Sequence, residues 1–468
     1  MNPLVNQINN DSSDTQSSYA LDTEQVDAIV EALDGGQPNL AKSLCLPLHY
    51  ADLADLFDWI GSSHRLMLLD ILGDDFDYDA LPKMDDNVRE EIIEYWGLDH
   101  VAQAVSELDH DDAVDLIEDL DEHEQRQVLE AISAEDRTLI EESLTYPEDS
   151  AGRMMQREVV TVPEFWHVGK TIDFMRQSAD DDPDALPKSF YDIYVVDASH
   201  KPVGAVELSA MLRARRDVKM VDIMWTDLQT VTVTDDQEDV AYLFRQRDLV
   251  SAPVIDDAGR LVGSITVDDI VDVIDDEHEE DMMLLAGVGE DDLYDAAIDT
   301  TRSRFTWLLV NLFTAVMASA VISMFAATIE QIVALAVLMP IVASMGGNAG
   351  TQSLTVAVRG LATKELNPTN AGRVITKEIV VGCINGVVFA VIAGAVAWLW
   401  FDDPLIGAVI AMAMMVNMIV ASIAGVSIPI VLDRAGIDPA IASSVFVTTV
   451  TDVIGFFAFL GLAALILI

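Results

Sequence analysis

Five apolar spans crowd the last third of this chain, and they limit what it can fold into: 305–328, 331–358, 379–401, 404–432 and 439–468. At about 1.5 Å per helical residue each is long enough to cross a hydrocarbon layer of ~30 Å, some with tilt. Only the last carries a charge, Asp452, which lies roughly 20 Å from either end of its span, near the bilayer centre. A carboxylate at that depth is costly, and such residues face a bundle interior or a water-filled path where they handle ions or protons. No other span has an interior Lys or Arg that could serve as a purely structural partner. Helical spacing places Ser444, Thr448, Asp452 and Gly455 on one side, which reads as the lining of a path.

Composition divides at the same boundary. Of the 26 basic and 80 acidic residues, 19 and 72 precede Thr301, so nearly the whole net charge of −54 sits on the part before the spans. A surface that acidic excludes nucleic-acid binding, which needs Lys and Arg against phosphate, and makes cations the natural partners. Cys45 and Cys383 fall in different regions, which argues against a structural disulfide and suits a reducing cytosol. The first twenty residues are polar, with neither a basic nor an apolar leader segment, and read as a disordered tail.

From 21 to 150 the pattern is of short amphipathic helices. ADLADLFDWI (51–60) aligns with DDAVDLIEDL (111–120), as expected of stacked helical pairs forming a superhelical domain with no catalytic constellation. After the hinge YPEDSAG (146–152), IYVVDASHKPVGAVEL (193–208) repeats as SAPVIDDAGRLVGSITV (251–267). Each copy follows a leading strand, VVTV at 159–162 or TVTV at 230–233, and the first carries the insertion SADDDPDALPKS. Turn-bounded strands with amphipathic helices predict two α/β modules, about 151–216 and 217–275. They resemble a tandem CBS pair, a fold that senses adenosine nucleotides or ions. The resemblance implies ATP or another adenosine nucleotide as ligand. Next comes an acidic connecting segment, 276–304, part of a helix whose Asp269, Asp272, Asp276 and Glu280 share one face and repel unless counter-ions neutralise them.

In the second span, LMPIVASMGGNAGTQSL (338–354) combines Pro340 with three glycines, which predicts a loosened helix at membrane depth, with Asn348 and Gln352 on one face. Gly346 and Gly350, like Gly382 and Gly386, also have the spacing of close helix contacts. Arg359, Lys364, Arg373, Lys377 and Arg434 concentrate in two connections, whereas IEQ and FDDP carry no basic residue. The positive-inside rule therefore places the N-terminal domains in the cytoplasm and the C-terminus outside.

This order of parts, with PxxxxxGGNAGTQ and FVTTVTDxxGF in the spans, resembles the MgtE family of magnesium transporters and channels from about residue 21 onward. The resemblance implies an all-α N-terminal domain, an α/β tandem CBS domain, a connecting (plug) helix and an α-helical transmembrane domain of five spans. It further implies a homodimer in the inner (plasma) membrane, with the ion path between subunits. Asp452 would be the principal path ligand, with Asp438 near the inner mouth; Thr448, on the Asp452 face, and the carboxamide of Asn348 are the further path candidates that the residues themselves suggest. Regulatory Mg²⁺ would be held by Asp111, Asp115, Gly152, Asp236, Glu238, Asp248, Asp269, Glu277, Glu280 and Asp281, with Asp79 a weaker match. The family often has a proline before FVTT; here Ser444 and Val445 occupy that region. Two other readings remain: a transporter of Co²⁺ or Ni²⁺, disfavoured by the lack of His and Cys beside Asp452, and a nucleotide-sensing regulatory protein with a membrane anchor, for which Asp452 would serve no purpose.

Overall fold

The computed structural model of the chain describes residues 21–181, 186–187, 189–288 and 297–468. The expected tail, 1–20, lies outside the described residues, as do parts of the insertion and of the connecting segment. The chain divides into two compact units, Met1–Ile274 and Asp275–Ile468.

The first unit opens with α1 (Thr23–Asp34), α2 (Pro38–Cys45), α3 (Tyr50–Trp59), α4 (Ser62–Leu72), α5 (Asp86–Trp96), α6 (Leu98–Glu107), α7 (His110–Glu118), α8 (Glu122–Ala131) and α9 (Ala134–Ser143). Helices this short are marginal alone, so capping and burial must hold them. Asp22, Asp85 and Ser133 cap α1, α5 and α9 through their side chains, and Asp121 and Glu124 form a reciprocal capping box on α8. The internal repeat maps onto α3 and α7, whose aligned Leu56 and Leu116 are 0% and 1% exposed in one continuous core.

The two α/β modules have the same topology. β1 (Thr161–Pro163) runs parallel to β2 (Asp192–Val196), which pairs antiparallel with β3 (Pro202–Glu207); β4 (Val231–Thr232), β5 (Ser251–Ile255) and β6 (Leu261–Thr266) repeat that arrangement. Both modules shift register at the equivalent place, Val195/Val196 and Val254/Ile255. Gly204 and Gly263, aligned in sequence, sit where a side chain would meet Met224 and Met155. The helices are α10 (Val168–Asp181), α11 (Leu208–Arg213) and α12 (Gln237–Arg247), and α13 (Val267–Ala286) begins in the first unit and ends in the second.

The second unit contains α14 (Ala297–Ser323), α15 (Ala326–Gln331), α16 (Ala334–Ala362), α17 (Ala371–Phe401), α18 (Pro404–Arg434) and α19 (Pro439–Ile466). Five of these, α15 excepted, are long and apolar enough to cross a membrane. The chain turns at Met324 and Phe325, inside the expected span 305–328, where the Phe325 ring packs edge-on against Phe457 at 5.8 Å. Contrary to the loosened helix anticipated from Pro340 and its glycines, α16 runs unbroken from Ala334 to Ala362. The glycines are sites of close contact: a methyl at Gly350 would lie 2.5 Å from Val447 of α19, and one at Gly382 of α17 would meet Ser422 of α18.

Candidate functional site: an open carboxylate-bearing face and two acidic clusters

Pro439 at the first helical position and Asp438 as cap fix the start of α19, the Asp438 carboxylate accepting from Ala440 N at 2.7 Å. From that start the helix presents Thr448, exposed, and Asp452, half-buried, on one side. On α16, which packs along α19, Asn348 and Gln352 are likewise exposed. Among the described residues Asp452 has no ion pair. Gly455, anticipated on the same side, is instead buried against Asn417 of α18, because its position is turned about 60° from Asp452 toward the bundle.

That packed side holds residues which the reading of the sequence overlooked. Asn417 is 0% exposed, and its Nδ2 donates to the Val342 carbonyl of α16 at 2.9 Å. Glu378, near the start of α17, is buried and accepts a 2.9 Å hydrogen bond from Ser353 of α16. The signal was present: Asn417 is an interior carboxamide in an otherwise apolar run, MAMMVNMIV, and polar groups at such depth are conspicuous.

The other end of α19 lies beside α13. Leu284 and Leu285 of α13 pack against Leu354, Val358, Ala440 and Val447. Burial, with the nearby Asp438 carboxylate adding repulsion, raises the Asp281 pKa. Two of the expected acids are thus close neighbours within this unit. Glu277 and Glu280 are half-buried on the same helix.

In the first unit α7 and the start of α13 bring Asp111, Asp112 and Asp269 together. All three carboxyls are raised, first by desolvation and then by repulsion, in which Asp269 acts on both α7 acids. Asp269 accepts from Thr266 Oγ1 at 2.8 Å, whereas Asp111 Oδ1 is buried with no partner. Two basic side chains flank the cluster: Lys83 pairs with Asp272, and Arg89 pairs with Asp86 at 2.5 Å and with Asp119. Asp115, anticipated as a metal ligand, lies 3.6 Å from Arg89 and is largely exposed, so an ion there competes with a resident guanidinium.

Gly152, Asp236 and Glu238 gather where the hinge meets α12. Gly152 N donates to Val233 O at 2.9 Å, Ser150 bridges to Asp236, and Asp236 caps α12 by accepting from Glu238 N at 3.0 Å. A side chain at Gly152 would strike Tyr146 and the Val233 carbonyl. Asp248 stands at the opposite end of this 11-residue helix, about 18 Å from Asp236, so one ion within the chain would not join the two. Asp79 lines a separate cavity of about 630 Å³ with Asp109, Asp136, Glu158, Tyr191 and Asp268. A smaller cleft between β2 and β5 shares Glu158, Tyr191 and Thr266 with it and adds Tyr194, Ser251 and Ser264. Among the described residues no three His, Cys, Asp or Glu side chains are disposed to hold a metal ion. Carboxylates and carbonyls are nevertheless the donors a hard divalent cation takes.

Family profiles match this chain in three places: an MgtE intracellular N domain at 48–149, a CBS domain at 220–276 and an MgtE divalent cation transporter at 339–462. The profile for the CBS fold falls on the second module, which the first reproduces strand for strand. Helical domain, CBS modules and membrane-long helices with a mid-span acid together define a multi-pass membrane protein of the divalent-cation transporter class. The chain is 31% identical, over 93% of its length, to the magnesium transporter MgtE of Bacillus subtilis, covering 96% of that protein. It is also 31% identical, over 94% of its length, to the magnesium transporter MgtE of Thermus thermophilus, covering 98%. A solved cytosolic domain of the Mg²⁺ channel MgtE in complex with ATP is similar at 28% identity and a TM-score of 0.49, spanning 53% of this chain and 99% of that one. The chain belongs to the MgtE family.

Proposed function

We propose that this protein carries Mg²⁺ inward across the inner (plasma) membrane as a homodimer, and that cytosolic Mg²⁺ closes it. The observation that carries the reading is the open face on which Asp452 and Thr448 of α19 and Asn348 of α16 stand free of ion pairs among the described residues. Mg²⁺ gives up water reluctantly. Two symmetry-related Asp452 carboxylates would supply the charge for a hydrated ion, while Asn348, Thr448 and carbonyls accept hydrogen bonds from its water shell. Asp438 belongs at the inner mouth, where α13 meets α19.

Closure follows from the acid clusters. Asp111 with Asp269, Asp438 with Asp281, and the Gly152–Asp236–Glu238 corner repel when bare, and a divalent ion bridging them favours the arrangement that brings them together. Asp79, Asp115, Asp248, Glu277 and Glu280 would complete ion sites against other groups. With the N-terminal domains in the cytoplasm, the result is feedback on import. The cavity of about 630 Å³, with Tyr191 in its lining, has room for an adenosine moiety, and its carboxylates require a bound triphosphate to arrive with Mg²⁺.

Flux of Mg²⁺, Co²⁺, Ca²⁺ and Na⁺ into proteoliposomes tests this function. Mg²⁺ should pass in preference, Asp452→Ala should abolish or strongly reduce its flux, and Asp452→Asn should keep geometry but lose affinity. Wild-type flux through the Ala variant would remove Asp452 from the path.

A further inference from the structure

Asn417 sits about midway along α18, hence near the bilayer centre, and it touches both helices that carry the path groups. Its carboxamide fills the space left by two missing side chains. A methyl at Gly346 of α16 would fall 2.8 Å from Asn417 Cγ, and one at Gly455 of α19 would fall 2.7 Å from Nδ2. Gly346 lies two residues from Asn348, on the opposite side of α16, and Gly455 lies one turn beyond Asp452. Asn417 is therefore wedged behind the open face, between the backbones of its two walls.

Helix-to-helix adhesion does not explain this residue by itself. Nδ2 adds a bond to the Val342 carbonyl of α16, but Oδ1 is buried with no partner. Exchanging the amide ends would turn the oxygen toward another oxygen, so the orientation is fixed by chemistry. An unpaired acceptor at that depth is a cost that an apolar side chain of similar size would avoid. What the carboxamide supplies is a flat, rigid group of fixed thickness, anchored to α16 by one hydrogen bond and pressed against α19.

We propose that Asn417 is the positioning residue that sets the separation of α16 and α19, and through it the distance between Asn348 and Asp452 by which the path discriminates among hydrated divalent ions. The proposal rests on the assignment of Asp452 and Asn348 to the path. Asn417 does not touch the ion, so its loss should change selectivity more than throughput.

The test measures Mg²⁺, Co²⁺ and Ca²⁺ flux in proteoliposomes for the full-length Asn417→Ala, Gly455→Ala and Asn417→Ala/Gly455→Ala proteins, each quantified in the membrane. The expected result is that each single variant lowers Mg²⁺ discrimination by two- to about thirtyfold, the range for residues acting without ligand contact. The double variant should regain most of it, because the new methyl occupies the emptied volume. A stability role alone would change the amount of inserted protein and leave the flux ratios unchanged. Wild-type ratios in Asn417→Ala would overturn the inference. Should that protein fail to insert, wild-type ratios in Gly455→Ala would overturn it equally. Asp452→Ala is run alongside: retained flux there sinks the path assignment, whereas lost flux there with wild-type ratios in the Asn417 and Gly455 variants sinks only the role of Asn417.

Discussion

Asp111 shows how one buried carboxyl makes stability depend on pH. Its Oδ1 is buried without a partner, and desolvation followed by Asp269 and Asp112 holds its carboxyl well above the ordinary value of 3.8. A carboxyl raised on folding binds more protons in the native than in the unfolded state, so stability is lost as pH climbs from the unfolded value through the folded one. For its neighbours Asp112, pushed to about 7, and Asp269, to about 6, the same loss runs over roughly pH 4 to 7. Asp111→Asn should therefore raise the unfolding midpoint of the full-length protein at pH 7.5 without Mg²⁺, by a stabilisation of about 1–2 kcal/mol. The gain should shrink as pH falls and vanish only below the unfolded value, near pH 3, and the variant should respond less to added Mg²⁺. His110, which burial lowers to about 4, acts in the opposite sense but equally in both proteins, so the difference between them isolates Asp111. Calorimetry at the two pH values decides it, and an unchanged or lower midpoint at pH 7.5 would mean that this carboxylate is already compensated. At this scale the sequence supplied the identity of the acids, including Asp452 and Asp111, because a carboxylate in an apolar span or an acid-rich repeat is visible in one dimension. It did not disclose that Arg89 stands 3.6 Å from Asp115, or that Lys83 holds Asp272, since those pairs join α5 and the Tyr78–Lys83 turn to distant segments.

Among the elements, α13 carries the sharpest conflict. Its acids repel one another, yet Asp269 lies against α7 in the first unit and Asp281 beside Asp438 in the second. Making Asp269, Glu277, Glu280 and Asp281 into Asn, Gln, Gln and Asn removes both the repulsion and the proposed Mg²⁺ ligands. The resting state can then move either way, but the response to Mg²⁺ must flatten, because differential binding is what shifts an equilibrium. Patch recordings with cytoplasmic-side Mg²⁺ raised in steps should show a shallower inhibition curve; one as steep and as well placed as wild type would show that these acids are not the sensor. The crossing of α16 and α19 makes a different prediction. At Gly350 even a methyl would lie 2.5 Å from Val447, so Gly350→Val should destabilise the membrane domain by about 1–3 kcal/mol. A thermal midpoint in detergent equal to wild type would show that the helices can separate freely. The glycine spacing was legible in the sequence, and so was the capping of α19 by Asp438 and Pro439. The continuity of α16 through Pro340 was not, because contacts with α18 and α19 hold together what local propensity would loosen.

For the whole molecule the decisive quantity is the imbalance of 72 acids to 19 basic residues before Thr301. Monovalent salt screens such charge, whereas a divalent ion can join two carboxylates. Millimolar Mg²⁺ should protect the soluble half from protease far better than Na⁺ at the same ionic strength, and equal protection by the two salts would reduce the acidity to a solvation feature. The sequence by itself determined the sequence of parts: repeated helices, two α/β modules, an acidic helix and membrane spans, each marked by its own periodicity. It also singled out Asp452, because charge within a continuous apolar run needs no partner to be noticed. Tertiary structure alone decided which acids meet. Asp111 and Asp269 are 158 positions apart in the chain and Asp281 and Asp438 are 157 apart, and no local pattern encodes those encounters. It also decided that Asn417 lies against Gly346 and Gly455, because the position of a buried wedge is set by three helices packing at once, while periodicity describes each helix singly.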